Sequence, residues 1–354
     1  MPTLLHQDAS RSIYLHRLEV TEAMVAQQLA RHPEMDERIR LKRVLDANYH
    51  LDYLAESLAA TEPRLFFDYL AWARIMLIGR GVPIGDLALN MECLCDALRQ
   101  TLPQTMADVA VEYIALGLGR LSEAPPAVPT FIPADSQQFP LASDYLAALL
   151  AGERQRASRL VMDAVEGGTS VQDIYLQVFQ PCQHEIGRLW QLNQISVAQE
   201  HYCTAATQLI MSQLYPYLFT GERVGRTMVA TCIANDLHEI GVRMVSDLFE
   251  LSGWDTFYLG ANTPVPSILE AVREQRADVL AVSATITPHL KLVRELIADV
   301  RAAPDCGAVK ILVGGYPFRI GPDLWQRLGA DGCAQDAATA VELANRLVSD
   351  GESI

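Results

Sequence analysis

From residue 222 onward, short apolar or β-branched runs alternate with amphipathic stretches, and this alternation limits the fold more than any other feature of the chain. The runs are TMVATCI (227–233), DTFYLG (255–260), DVLAVSA (278–284), VKILVGG (309–315) and DGCAQ (331–335). Helical spacing fills the intervals near 239–252, 264–276, 288–302, 321–329 and 336–348. Parallel neighbours need a crossover long enough for a helix, so five strands alternating with five helices predict a doubly wound parallel sheet. Ligands of such sheets bind at the carboxyl ends of the strands, where the strand order reverses.

Upstream the texture is helical. Residues 1–122 hold LFFDYLAWARIMLIG, then a turn at RGVPIGD, then DLALNMECLCDALRQTL with Asp86 as the expected N-cap, then MADVAVEYIALGLGRL. Residues 123–140 carry five prolines and no periodicity, which reads as a linker. Residues 141–220 hold about four helical stretches, enough for a four-helix bundle. The last domain is then 221–354.

Composition excludes several classes. The chain has 354 residues, 50% of them apolar, and a net charge of −15. An acidic surface suits neither nucleic-acid backbones nor a membrane surface, so no direct nucleic acid and no membrane are expected as partners. No apolar run reaches the ~20 residues of a membrane span. MPTLLHQDASRS lacks the basic and apolar regions of a signal peptide. The seven cysteines are scattered, and CLC at 93–95 has neither zinc nor redox spacing. A cytoplasmic protein with free thiols is expected.

The turn after the first strand reads NDLHEIG, residues 235–241. SATIT (283–287) and GGYPF (314–318) follow strands three and four on the same rim. His238, Ser283, Thr285, Gly314 and Gly315 should therefore face one crevice. A neutral imidazole is a good donor to a transition metal, and a carboxylate on its other nitrogen fixes the tautomer. Asp236 is placed for that role. Gly241, Gly314 and Gly315 leave room where a bulky ligand approaches the backbone. Taken singly, a histidine at a strand end is most often a cap and Gly-Gly most often a turn. Their convergence on one rim favours a site.

Asp236-x-His238-x-x-Gly241, then Ser283-x-Thr285, then Gly314-Gly315, resembles the cobalamin-binding domain of methionine synthase, corrinoid methyl carriers, base-off mutases and light-sensing cobalamin regulators. The resemblance implies a flavodoxin-like domain with His238 as lower ligand to cobalt and Asp236 as its partner. It further implies a nucleotide tail beside Gly241, Ser283, Thr285, Gly314 and Gly315. That family often has Leu where Thr285 stands. YLGANTP matches its usual turn after strand two, which adds Gly260.

In the bundle, WQLNQISVAQEH sets Trp190 ahead of Glu200 and His201. By itself this is a core Trp and a solvated pair. Directly upstream of such a domain it resembles the light-sensing cobalamin regulators of the CarH type, whose bundle caps the upper face. The resemblance implies adenosylcobalamin, with Trp190 over the adenosyl group and Glu200–His201 against it. The regulators often have a metal-binding His after the Trp; here it is Gln191, so His201, His184 or water would take that place after photolysis. Their winged-helix DNA reader has no counterpart in residues 1–122. A mutase or methionine synthase would need a further barrel of ~250 residues.

YHLDYLAESL and RLFFDYLAWARIMLIGRGVP in the N-terminal segment resemble photocobilins, which imply biliverdin as a second chromophore. Tyr53, Phe66, Phe67, Tyr69 and Trp72 could line a slot for it, with Arg74 and Arg80 at its propionates; as single residues they read equally as core. The expected function is a light sensor, not an enzyme: cleavage of the Co–C bond changes the bundle and subunit association in a homo-oligomer, expected to be a dimer, that signals to an unidentified downstream partner. The alternative is a corrinoid protein carrying a methyl group for a methyltransferase system.

Overall fold

The computed structural model describes residues 2–31, 36–121, 128–219 and 222–349. The chain divides into two compact units, Met1–Ala127 and Val128–Ile354.

Among the described residues the first unit has six helices: α1 (Pro2–Leu15), α2 (Arg17–Arg31), α3 (Glu37–Ala59), α4 (Pro63–Gly79), α5 (Ile84–Thr101) and α6 (Gln104–Leu121). The Asp36 carboxylate caps α3 by accepting from the Ile39 amide at 2.8 Å. Asp86 is not the cap of α5, contrary to the sequence expectation. That helix starts behind Pro83, and Asp86 lies within its first turn. Proline lacks an amide hydrogen and holds φ near the helical value, so the chain turns there, and an acid one turn in still meets the positive helix end.

Leu54, Leu58, Phe66, Leu70, Met91, Leu94 and Ile114 form the core of this unit. Within it, Tyr69 stacks on Tyr53 with ring centres 3.9 Å apart, and the Tyr69 hydroxyl lies 2.7 Å from His50 Nδ1. Burial, helped by the charge of Arg43, pushes the His50 pKa down to about 4, so the ring is neutral. Of the aromatic set singled out in the sequence, Phe66 and Tyr69 are core, while Tyr53, Phe67 and Trp72 are half-buried. Arg74 donates to the Leu121 carbonyl at 2.8 Å and Arg80 to that of Met76 at 3.1 Å.

The second unit opens with four helical stretches: α7 (Phe139–Leu150), α8 (Arg154–Glu166), a continuous run of α9 (Val171–Asp173), a π-helical segment (Ile174–Phe179) and α10 (Gln180–Gln191), and α11 (Val197–Gln213). Pro181 can donate no hydrogen bond to the turn before it, and the widened π turn accommodates its ring. The stretch expected as a linker is only partly one. Residues 122–127 lie outside the described residues, but from Val128 the chain packs on α10. The Phe131 amide donates to Glu185 at 2.9 Å, and Ile132 enters the core.

The sheet follows, with β1 (Thr227–Ile233), β2 (Asp255–Thr263), β3 (Val279–Ser283), β4 (Lys310–Gly314) and β5 (Gly332–Cys333) in the all-parallel order 2-1-3-4-5. Its crossovers are α12 (Ile240–Leu251), α13 (Val265–Glu274) and α14 (Leu290–Ala302), then α15 (Tyr316–Ile320) and α16 (Leu324–Leu328), with α17 (Ala337–Ser349) closing the chain. Two short helices thus replace the single one expected over 321–329. Bundle and sheet do not have separate cores: Ile210, Met211 and Leu214 belong to the same buried cluster as Met244, Leu248, Phe249 and Trp254. No helix among the described residues is long and apolar enough to cross a membrane.

Inside the bundle, Thr207 accepts from Gln183 Nε2 at 2.8 Å, lies 2.8 Å from the Tyr145 hydroxyl, and donates to the Cys203 carbonyl at 2.9 Å. Thr207→Val keeps the shape but leaves buried donors without a partner. It should cost about 2 kcal/mol. A urea titration checks this, and an unchanged midpoint would show the knot to be energetically idle.

Candidate functional site

The order 2-1-3-4-5 places its reversal between β1 and β3, where this architecture binds ligands. Cys232 of β1 is level with Ser283 of β3, which is level with Gly314 of β4. The three strand ends therefore form one rim, and the 235–241 turn rises beside it.

Asp236 organises that turn. It is 0% exposed. Its Oδ1 accepts from the His238 amide at 3.0 Å and lies 2.8 Å from His238 Nδ1. Its Oδ2 accepts from the Thr285 amide at 2.5 Å. His289, also buried, brings Nδ1 to 3.3 Å from the same oxygen without aligning into a hydrogen bond. Burial alone would raise the carboxyl pKa; the hydrogen-bonded His238, the nearby His289 and the backbone amides outweigh it and hold the group well below the usual carboxylate range. The Asp236 carbonyl also accepts from the Asn262 amide at 3.1 Å, and Asn262 Oδ1 accepts from the Asn235 amide at 2.8 Å. Both asparagines adopt positive φ, which their side chains tolerate.

With Nδ1 committed to Asp236, His238 presents Nε2, and its side chain is 65% exposed. Its pKa is raised, first by the hydrogen bond to Asp236, against burial, and then by the charges of Asp236 and Glu200. The bundle meets the sheet next to this histidine, where Gln208 of α11 donates to Glu239. Trp190, in the last turn of α10, and Glu200, in the first turn of α11, flank the 192–196 loop at one end of the bundle. Ser196 and Gln199 close a capping box there that fixes the start of α11. Trp190 is half-buried against the shared core and Gln191 is buried. Glu200 accepts from Thr204 at 3.1 Å and pairs with His201, whose ring is exposed. His184 lies edge-on to Phe131.

The glycines separate into two kinds. Gly315 has φ 110°, and a Cβ there would lie 2.0 Å from the Ala284 carbonyl oxygen, so the chain's own β3–β4 approach demands it. Gly260 has φ 80° at a bulge, with Glu239 beside it. A Cβ on Gly241 would meet nothing within 4 Å, and one on Gly314 only the Ala334 carbonyl at 3.7 Å. Those two leave open space, as a ligand beside the rim requires. Ser283 and Thr285 are half-buried at the same rim.

Sequence reasoning missed His289 and Glu239. Glu239 accepts from Gln208 of α11 at 2.6 Å and from the Tyr258 hydroxyl at 2.8 Å, so it ties bundle to sheet beside His238. Nothing in the local pattern marks it, because both partners are distant in sequence. A groove of about 560 Å³ lined by Ile132, Phe139, Leu146 and Glu185 lies in the bundle, on residues outside the rim set.

An exposed imidazole nitrogen, a fixed tautomer and an open rim fit a large flat cofactor whose metal lacks one axial ligand. Comparison with known proteins agrees. Residues 226–344 match the B12 binding domain, and residues 141–215 match a second B12 binding domain model. The second unit carries a cobalamin-binding module. A corrinoid protein of Desulfitobacterium hafniense (strain Y51) is 25% identical over 207 residues, covering 57% of this chain and 94% of the relative. The dimethylamine corrinoid protein of Methanosarcina barkeri is 28% identical over 140 residues, covering 39% of this chain and 64% of the relative. The structure of the Methanosarcina barkeri monomethylamine corrinoid protein superposes with a TM-score of 0.54 at 20% identity, covering 59% of this chain and 99% of that one, and so shares the fold.

Two outcomes follow for this module. Asp236 has its pKa depressed by folding, so its contribution is present above the unfolded value of about 4 and is lost as pH falls below it. Asp236→Asn should cost about 2–3 kcal/mol at neutral pH, with the gap to wild type closing on acidification; urea titrations at neutral and acidic pH measure it, and a pH-independent gap would count against the ionised carboxylate. Gly315→Ala should destabilise the cofactor-free protein by about 3 kcal/mol or more. Gly241→Ala should leave its unfolding midpoint within error and weaken cobalamin retention on gel filtration. Equal behaviour of the two alanines would erase the distinction between a glycine the fold needs and one the ligand needs.

Proposed function

We propose that this chain is a corrinoid carrier. It holds cobalamin base-off over the β1–β3 rim with His238 beneath the metal, and it presents the upper face to partner enzymes that load and remove a methyl group. The observation that carries the binding half is the Asp236–His238 pair, with Nδ1 tied at 2.8 Å and Nε2 open. The carrier half is supported by the curated relatives, among them dimethylamine corrinoid proteins.

Cobalamin supplies a metal centre that can accept and give up a methyl group. The chain's part is positional. Asp236 keeps the proton on Nδ1, so that Nε2 offers its lone pair. Gly241 and Gly314 leave room for the cofactor's tail, and Ser283 and Thr285 can hydrogen-bond it. Trp190 and Glu200 border the opposite face.

A second reading is favoured by one specific observation. Trp190 and Glu200 flank the same 192–196 loop at one end of the bundle. An indole and a carboxylate suit the rings and hydroxyls of an adenosyl group better than a methyl group. In that reading the protein is a light sensor using adenosylcobalamin, and its helical first unit, which neither B12 model covers, is where biliverdin would bind.

Protein loaded in the dark with methylcobalamin or adenosylcobalamin separates the readings. Both require wild type to show the spectrum of imidazole-ligated, base-off cobalamin and His238→Ala to lose it; an unchanged spectrum would remove His238 from the metal. A carrier should retain methylcobalamin at least as well as adenosylcobalamin, with Trp190→Ala neutral and green light without effect on elution volume. A sensor should prefer adenosylcobalamin, lose that preference in Trp190→Ala, and change its elution after green light.

A further inference from the structure

Exposed large apolar side chains concentrate in the first three helices, and three of them line one face of α3. Leu41 is 54% exposed, Leu45 60% and Tyr49 58%. Spaced four residues apart, they form a stripe along about two turns of the helix. A stripe of this kind on a 23-residue helix is more than the scattered exposure of an ordinary surface.

The charges beside the stripe change sign at its middle. Arg38 and Lys42 precede Leu45, and Asp46 follows it. The cations stand out in a chain of net charge −15, since Arg38, Arg40, Lys42 and Arg43 are four of its 28 Lys and Arg within six residues. Asp46 is half-buried, and burial raises its pKa against the pull of Arg43 and Lys42. A helix basic at one end of an apolar stripe and acidic past its centre is complementary to itself, provided that the copy runs the other way.

We propose that two copies of this chain pair through α3, antiparallel, with Leu45 of each on the two-fold axis. Leu41 of one protomer then packs on Tyr49 of its partner, and Lys42 of each reaches Asp46 of the other. Such an isologous contact closes on itself and stops at two copies. It also brings together two acidic chains at a place where the local charge alternates. This pairing belongs to the first unit and is independent of the cofactor proposal above.

Cysteine cross-linking of the full-length chain tests it. Six of the seven native cysteines lie in helices or strands and five are fully buried, so wild type should not cross-link under a mild oxidant. Leu45→Cys should form a covalent dimer, because the two copies meet at that position. An equal mixture of Leu41→Cys and Tyr49→Cys proteins should cross-link, and Leu41→Cys alone should not. Ile39→Cys, about 120° round the helix from Leu45, is the exposed control and should form no covalent dimer under oxidation. Light scattering on a sizing column should give a dimer mass for wild type and a monomer mass for Leu45→Arg, with circular dichroism confirming that the exposed substitution leaves the helices intact. A wild type that is monomeric up to 100-fold changes in concentration overturns the proposal, as does a dimer that Leu45→Arg leaves whole. Cross-linking of Leu41→Cys with itself at the rate of Leu45→Cys would overturn the antiparallel arrangement.

Discussion

Everything at the rim hangs from one buried carboxylate. Asp236 sits out of water and accepts from the turn that follows β1, from the imidazole two residues on, and from the turn that follows β3. A charge in that position is expensive to desolvate, and its bonds repay the cost only while all of them are made. The same bonds that keep Asp236 ionised therefore lock two loops together and set the orientation of His238. Stability and function rest on one group, so the turn has little freedom to drift in sequence without altering both.

The geometry accounts for the difference between the roles of the two faces. Below, a single exposed nitrogen is held by a rigid strand end. Above, a Trp and a Glu are carried by helices joined at a five-residue loop, 192–196, capped by Ser196 and Gln199. A fixed lower donor and an upper face bordered by helix ends suit a cofactor whose reactive side must be reached by another molecule or rearranged by an event at the metal.

Much of this was legible in the sequence. The βα alternation gave the parallel sheet, because the period of the apolar runs and the length of the crossovers are local properties. The Asp236–His238–Gly241 turn and the Ser283 and Gly314 positions came out on one rim for the same reason, since strand ends in a parallel sheet share an edge. What escaped depended on distant partners. Glu239 is an ordinary acid until Gln208 and Tyr258 are folded against it, and His289 gains meaning only from its 3.3 Å approach to Asp236. In the sequence Gly315 reads as room for a ligand, whereas the Ala284 backbone already requires it. Proline richness suggested a free linker, but Ile132 and the Phe131 amide find partners on the bundle.

Bundle and sheet share a core, and that governs how the cleft above His238 can open. Ile210, Met211 and Leu214 are buried with Met244, Leu248 and Phe249, and side-chain bonds cross the same boundary, among them Gln208 to Glu239, Arg243 to Ser212, and Tyr175 to Asp247. A lid swinging on a hinge would have to strip that apolar surface bare. A helix sliding along its neighbour keeps most of it covered and exchanges one polar contact for the next. A bundle attached in this way could uncover His238 at low cost only by sliding, so the register of its helices, rather than a hinge angle, would set the width of the gap above that ring.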